Sequence, residues 1–138
     1  MIYDTLDVTR DDRGVAYVTL NRSDKRNALS AKMMDELTNM AVTVGADDDT
    51  RAIVLSGEGK VFCAGGDLEW MKDQIVADRK KRMAEAGRLA DMLDALNTMP
   101  TPLIGRIHGA ALGGGIGIAC VCDVAVAESN SKFGLTET

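Results

Sequence analysis

The stretch from Gly109 to Gly117, which reads GAALGGGIG, constrains the fold more than any other part of the chain. The apolar run at residues 102–107 leads into it and predicts a strand, because it is short, partly β-branched and preceded by prolines. Residues 116–122 follow and predict a short buried helix. A glycine inside a helix costs about 1 kcal/mol relative to alanine. Three at a helix start therefore indicate that something approaches the backbone closely.

Two interpretations of these glycines stay open at this point. In the first, the N–H groups at a helix N-terminus bind a ligand oxygen, aided by the helix dipole. That oxygen would belong to a phosphate or to an anion that forms during a reaction. In the second, the glycines only allow a helix and a strand to pack tightly.

Length and composition indicate a single domain with a substantial core. The chain has 138 residues, of which 46% are hydrophobic, and its net charge of −5 argues against non-specific nucleic-acid binding. The three cysteines (Cys63, Cys120 and Cys122) include no CxxC motif and lack a nearby histidine pair, which argues against a disulfide framework or a zinc site. We expect buried thiols. No signal pattern or membrane-length apolar run is recognisable, so a cytoplasmic location without membrane partners is expected.

The hydrophobic pattern alternates between strands and helices, which predicts an α/β fold. Besides the strand at 102–107, the predicted strands are residues 2–9, 15–20, 52–55, 61–64 and 123–127. The first two form a hairpin around the turn at residues 11–14. The continuous apolar run at 52–55 predicts a strand covered on both faces. Ser30 is expected to cap a helix with an apolar stripe over residues 33–41. Residues 75–97 predict a long helix whose apolar face includes Ile75, Val76 and Met83.

A second place with exposed backbone is Gly65-Gly66, which follows the predicted strand at 61–64. Asp67 comes directly after it and is expected to cap a short helix. The loop at residues 56–60 lacks the spacing of a phosphate-binding P-loop. No GxGxxG motif stands at a strand–helix junction, which disfavours a Rossmann-type dinucleotide protein.

Four ordered segments together resemble the crotonase family, the enoyl-CoA hydratases and isomerases. They are KRNAL at 25–29, FCAGGDL at 62–68, HGAALGGG at 108–115 with Cys122-Asp123 after it, and FGLTE at 133–137. The resemblance implies a crotonase-like spiral of ββα units that is incomplete at the C-terminus. Residues 1–138 would be the N-terminal part of an acyl-CoA-binding core domain. It also implies an acyl-CoA thioester as substrate, no separate cofactor, no metal, and a homotrimer or dimer of trimers at full length.

The resemblance assigns roles to individual positions. The backbone N–H groups of Gly66 and Gly114 would form an oxyanion hole for the thioester oxygen. Glu137 would transfer protons. The positions that correspond to substrate and coenzyme A contacts are Arg26, Ala28, Ala64, Asp67, Leu68 and Gly113. His108 is interpreted as structural.

One departure from the family bears on the reaction. Common hydratases carry two glutamates, but the first position is Gly117 here, and the second is kept as Glu137. Residues 115–120 and 134–138 resemble hydratases of the methylglutaconyl-CoA type, so we expect an enoyl-CoA hydratase with a methylglutaconyl-CoA-like substrate. Two alternatives remain: a 3,2-enoyl-CoA isomerase that uses one glutamate, and a non-catalytic acyl-CoA-binding subunit.

Overall fold

The computed structural model of the chain describes residues 2–136. Besides two short 3₁₀ helices (Ser23–Lys25 and Val44–Ala46), these residues form seven strands and four α-helices, and the α/β prediction is confirmed. In chain order they are β1 (Leu6–Arg10), β2 (Val15–Leu20), α1 (Ala31–Thr43), β3 (Ala52–Gly57), α2 (Leu68–Val76), α3 (Arg79–Thr98), β4 (Leu103–Ile107), β5 (Ala110–Leu112), α4 (Gly114–Val121), β6 (Val124–Ala127) and β7 (Lys132–Gly134). None of these helices is long and apolar enough to cross a membrane.

The larger sheet has five strands in the order β1-β2-β3-β4-β6. Strands β1 and β2 are antiparallel and place Val8 opposite Val18, so the hairpin prediction is confirmed. Gly14 closes its turn with a φ of +82°, a conformation that glycine adopts without strain. The other neighbours pair in parallel, and β5 and β7 form a separate parallel pair.

The core lies between the larger sheet and helices α1 and α3. Alternate residues of β2, β3 and β4 face it, as the period of two in a strand requires. The Ser30 hydroxyl accepts a hydrogen bond from the Met33 N–H at 3.2 Å, which confirms the predicted cap of α1. Large side chains that are fully buried include Leu20, Met33, Met34, Leu37, Met40, Ile53, Leu55, Met92 and Leu103.

The chain repeats one path three times within residues 2–136. A strand of the larger sheet is followed by a short paired segment and then by a helix. Leu29 pairs with Gly66, Cys63 pairs with Ala111, and β5 (which contains Ala111) pairs with β7; all three pairings are parallel. The short segments thus form a second layer of pairing beside the larger sheet, directly before each helix begins.

Three details of the sequence prediction are wrong. Residues 61–64 do not form a strand, because Cys63 makes only an isolated bridge. Burial of β3 alternates: Ile53 and Leu55 are buried and Val54 is half-buried, so this strand is not covered equally on both faces. The predicted helix at 75–97 is interrupted at residues 77–78, between the end of α2 and the start of α3. Asp78 caps α3 by accepting a hydrogen bond from the Lys81 N–H at 2.8 Å.

The burial predicted for several side chains also differs. Ile75, Val76 and Met83 are exposed because the two separate helices do not present one continuous apolar face. Of the three cysteines, Cys63 is buried, Cys122 is half-buried and Cys120 is exposed. Burial raises the pKa of the Cys63 thiol to about 11, so this thiol stays protonated at neutral pH.

Candidate active site

The two glycine segments lie side by side because the chain pairs them directly. Cys63 and Ala111 form a parallel bridge, and the Leu112 N–H donates to the Cys63 carbonyl at 3.0 Å. Gly65 adopts a φ of +98°, which turns the chain away from this pairing. Gly113 also has a positive φ, of 51°, and is the N-cap of α4. The backbone of residues 63–66 is thereby held against the start of α4.

The N–H groups of Gly66 and Gly114 have no hydrogen-bond acceptor within residues 2–136. Leu29 pairs with the neighbours of Gly66: its N–H donates to the Gly65 carbonyl at 2.7 Å, and its carbonyl accepts from the Asp67 N–H at 3.0 Å. The amide of Gly66 therefore points away from this bridge. Gly114 is the first residue of α4, and a first-turn N–H has no partner inside its own helix.

Both glycines line one small cavity, which we call the apolar cavity. Its volume is about 180 Å³. The remaining lining residues are hydrophobic: Leu29, Met34, Trp70, Met71 and Leu89. The free amide donors thus adjoin an environment of low polarity, in which an interaction with a developing negative charge is stronger than in water.

A second cavity of about 470 Å³, which we call the outer cavity, adjoins the first because Gly66 lines both. Five of the six positions assigned to substrate or coenzyme A contacts line it: Arg26, Ala28, Ala64, Asp67 and Leu68. Its other lining residues are Asp24, Lys25, Glu69 and Leu112.

Leu68 is 71% exposed, so its side chain is available to a ligand in the outer cavity. Gly113 is not among the described residues that line this cavity. Its N–H donates to the Gly134 carbonyl at 2.9 Å, which joins the start of α4 to β7.

Asn27 holds the loop that carries Arg26. Its side chain is fully buried and accepts from the Arg22 N–H at 2.9 Å. It also donates to the carbonyls of Glu58 at 2.9 Å and Val61 at 3.0 Å. Both Arg26 and Asn27 have a positive φ, near +53°, which asparagine tolerates better than most residues. Asn27 was missed as a residue that orders this loop, although an asparagine beside a turn is a usable signal.

Asp67 is the N-cap of α2, as predicted: its carboxylate accepts from the Trp70 N–H at 3.0 Å. The same carboxylate forms a largely buried ion pair with Arg22, also at 3.0 Å. Burial by itself would raise the pKa of Asp67. The N–H of Trp70, the Arg22 guanidinium and the N–H of Glu69 outweigh it and hold the pKa below its usual range. Arg22 was missed because its partner is 45 residues away in sequence.

Glu137 lies outside the described residues. The segment before it is held near the glycines, since Gly134 in β7 accepts from Gly113. At the position of the missing glutamate, a Cβ added to Gly117 would come no closer than 3.4 Å to the Leu93 side chain. Packing therefore tolerates a Cβ at residue 117.

Two further expectations concern groups outside the cavities. The Nε2 of His108 lies 2.7 Å from the Gly59 carbonyl oxygen, which supports its interpretation as structural. Among residues 2–136, no group of three or more His, Cys, Asp or Glu side chains is arranged to hold a metal ion.

Comparison with known proteins identifies the family. The sequence model described as Enoyl-CoA hydratase/isomerase matches residues 10–138. The probable enoyl-CoA hydratase echA8 of Mycobacterium bovis is 40% identical over 139 residues, which cover 99% of this chain and 51% of that protein. The putative enoyl-CoA hydratase/isomerase YngF of Bacillus subtilis is 36% identical over 140 residues, with coverages of 98% and 51%.

The structural comparison agrees. The enoyl-CoA hydratase of Mycobacterium smegmatis superimposes with a TM-score of 0.90 at 36% identity, over 96% of this chain and 51% of that one. The chain thus spans about half the length of these relatives. With the family's sequence model matched over most of the chain and its fold shared at this level, the chain belongs to the enoyl-CoA hydratase/isomerase family.

Proposed function

We propose that the protein at its natural length is an enoyl-CoA hydratase that stabilises an enolate of its thioester substrate with the N–H groups of Gly66 and Gly114. One observation carries this proposal: two backbone donors without acceptors among the described residues line the same apolar cavity. Preorganised donors of this kind need no rearrangement when charge develops. The loss of one such donor typically costs about 3–4 kcal/mol of transition-state stabilisation.

The outer cavity would hold the coenzyme A part of the substrate. It meets the apolar cavity at Gly66, so a thioester oxygen at the glycine amides leaves the acyl group on one side and the coenzyme on the other. Lys25 and Arg26 supply positive charge at the outer cavity for the coenzyme phosphates. Asp67 would shape the outer cavity without binding the substrate through its carboxylate, because that carboxylate already caps α2 and pairs with Arg22.

In this proposal Glu137 is the proton-transfer residue, which requires a carboxylate near the α-carbon with a pKa suited to the reaction. A 3,2-enoyl-CoA isomerase is the second candidate, favoured by the glycine at residue 117, since one carboxylate suffices to move a double bond. Packing against Leu93 tolerates a Cβ at that position. The absent glutamate is therefore a chemical difference from two-glutamate hydratases.

Two substrates distinguish these functions at natural length. Hydration removes the conjugated thioester absorbance of a 2-enoyl-CoA, whereas isomerisation creates that absorbance from a 3-enoyl-CoA. Rapid isomerisation without water addition would contradict the hydratase proposal, and acyl-CoA binding without either product would indicate a non-catalytic subunit. A crystal structure with a bound acyl-CoA tests the donors: a thioester oxygen beyond about 3.2 Å from both nitrogens would contradict their assignment.

The trimeric assembly and the cytoplasmic location stay predictions. The methylglutaconyl-CoA-like substrate is a third expectation, which the lining of the apolar cavity does not favour. A substrate of the methylglutaconyl type carries a distal carboxylate, which a cationic side chain would stabilise if buried. The described residues that line the apolar cavity include no cationic side chain. Direct comparison of charged and uncharged substrates, described below, tests this point.

A further inference from the structure

Trp70 forms part of the wall of the apolar cavity close to Gly66. A Cβ placed on Gly66 would lie 3.8 Å from the Trp70 ring carbon Cζ3 and 3.1 Å from the Met71 Sδ. Trp70 is partly buried and packs against the core, together with Leu89 of α3, which also lines the cavity. The indole ring and the Met71 side chain together therefore limit the space beside Gly66.

A carboxylate outside the cavity holds the ring in place. The indole Nε1–H of Trp70 donates to the Glu85 Oε2 at 2.9 Å. Arg88 donates to the same carboxylate through Nε at 3.0 Å and Nη2 at 3.3 Å, and it also pairs with Asp35 of α1. The Glu85 side chain is only 14% exposed. These contacts link α2, α3 and α1 in one network that ends at the cavity wall.

The charge on Glu85 is maintained by the same contacts. The Trp70 indole N–H, followed by the Arg88 guanidinium, holds the pKa of Glu85 below its usual range. Glu85 is therefore ionised at neutral pH, and a hydrogen bond to an ionised acceptor is roughly twice as strong as a neutral one.

Packing of α2 by itself does not fix the ring. No residue of α2 is fully buried, and Leu68, Ile75 and Val76 are more than 70% exposed. The Asp67 cap fixes the start of the helix, but it does not set the side-chain torsions of Trp70. The Glu85 carboxylate is the polar contact that sets the direction of the indole within the described residues.

The size of the apolar cavity limits what the ring leaves room for. A cavity of about 150 Å³ lined by aliphatic and aromatic side chains binds benzene, and this one measures about 180 Å³. The space between the described residues therefore matches a group of about six or seven carbon atoms. No charged side chain is among its described lining residues, so an uncharged group is favoured.

We propose that Trp70, oriented by Glu85, restricts the substrate to short, uncharged acyl groups. The inference rests on the proposed function, because it takes the group in the apolar cavity to be the acyl chain of a coenzyme A thioester. Trp70 contacts that chain and determines specificity. Glu85 is a positioning residue, since it acts only through the indole ring.

The test compares acyl-chain length preference at natural length. The ratio of kcat/KM for but-2-enoyl-CoA to that for dodec-2-enoyl-CoA is measured for the wild type and for Trp70→Ala, Glu85→Ala and Glu85→Gln. If part of a variant preparation is unfolded, both kcat/KM values fall by the same factor. The ratio of the two values is therefore unaffected. A merely structural role for either residue would leave it unchanged. Asp94→Ala is the matched control, because Asp94 is an exposed carboxylate on the same helix as Glu85.

We expect the wild type to favour the short substrate. Trp70→Ala should lower the ratio at least tenfold, since one methylene in an apolar pocket is worth 10- to 200-fold in specificity. Glu85→Ala should move the ratio in the same direction by a smaller factor, Glu85→Gln should restore most of it by retaining an acceptor, and Asp94→Ala should not change it. An unchanged ratio in Trp70→Ala, or a wild type that favours the long chain, would overturn the proposal.

Charge and binding complete the test. A preference of more than tenfold for 3-methylglutaconyl-CoA over but-2-enoyl-CoA would overturn the assignment of an uncharged acyl group. The dissociation constants of butyryl-CoA and dodecanoyl-CoA, which cannot be hydrated, give the length preference independently of turnover. A short-chain preference in binding without hydration would therefore support the role of Trp70 and contradict the hydratase function. Absence of acyl-CoA binding would contradict both.

Discussion

Replacing Gly115 with alanine tests how α4 is positioned against the segment that carries Gly66. A Cβ at residue 115 would lie 2.6 Å from the Cys63 carbonyl oxygen and 3.0 Å from the Cys63 Cβ. The distance to the carbonyl oxygen is about 0.8 Å shorter than 3.4 Å, the shortest ordinary van der Waals contact. Cys63 is tied by its bridge to Ala111 and by its carbonyl bond from Leu112, so it cannot move aside alone.

The magnitude follows from two opposing effects. Alanine in place of glycine inside a helix gains about 1 kcal/mol, and less in the first turn, where residue 115 lies. Overpacking a rigid contact costs about 1–3 kcal/mol. With a helix gain of roughly 0.5 kcal/mol in the first turn, we expect Gly115→Ala to lower the free energy of unfolding by about 0.5–2.5 kcal/mol.

Gly117→Ala is the matched control on the same helix. Its Cβ would meet only the ends of the Leu93 side chain at 3.4 Å, which is ordinary contact. Because alanine has a higher helix propensity than glycine and makes no clash here, the free energy of unfolding should rise by about 0.5–1 kcal/mol. Urea unfolding of both variants at natural length, with unchanged slopes, provides the measurement. A free energy for Gly115→Ala within about 0.5 kcal/mol of that for Gly117→Ala would refute the packing argument, given the errors of such measurements.

Three further predictions follow from the site. Glu137→Gln should lower turnover at natural length by about 100-fold or more with little change in coenzyme A affinity, measured by steady-state kinetics and product binding; near-normal turnover would remove Glu137 from the mechanism. Asn27→Ala removes three hydrogen bonds in a buried position and should lower the free energy of unfolding by about 2–4 kcal/mol; a loss below about 1 kcal/mol would contradict this role. Asp67→Asn keeps a helix cap but loses the charge that pairs with Arg22. Because the folded-state pKa of Asp67 is lowered, its stabilisation is present at neutral pH and lost as the pH falls through that pKa. Chemical denaturation should therefore show a larger deficit for Asp67→Asn at pH 7 than at pH 3, and an equal deficit would contradict the ion pair.

Local signals predicted the elements that local chemistry determines. Ser30 and Asp67 cap helices where the sequence indicated, and the turn before β2 forms at Gly14. The break between α2 and α3 had a signal that was missed. Asp78 is a good cap residue in the middle of a periodic segment, and it starts a second helix there without any proline or glycine.

Contacts between distant segments could not be predicted in this way. Strands β5 and β7 have three residues each and depend on pairing with segments that are distant in sequence, β5 with both β7 and Cys63. The partners Arg22–Asp67 and Trp70–Glu85 are polar contacts between separate elements, and no periodicity places them together. The sequence thus indicated which backbone is exposed, whereas the side chains that shape the cavities became visible only in the fold.

The two interpretations of the triple glycine apply to different residues of the same turn. Gly115 satisfies the packing interpretation, because a side chain there would collide with the backbone of Cys63. At Gly114 the nearest obstacle to a Cβ is one methyl carbon of Leu29, at 2.8 Å, so the backbone beside it stays accessible from the apolar cavity. Because Gly115 brings α4 against residues 63–66, it also sets how far the Gly114 amide lies from that of Gly66. Tight packing and open backbone are therefore two parts of one arrangement, in which the packing contact fixes the spacing that the proposed oxyanion site requires.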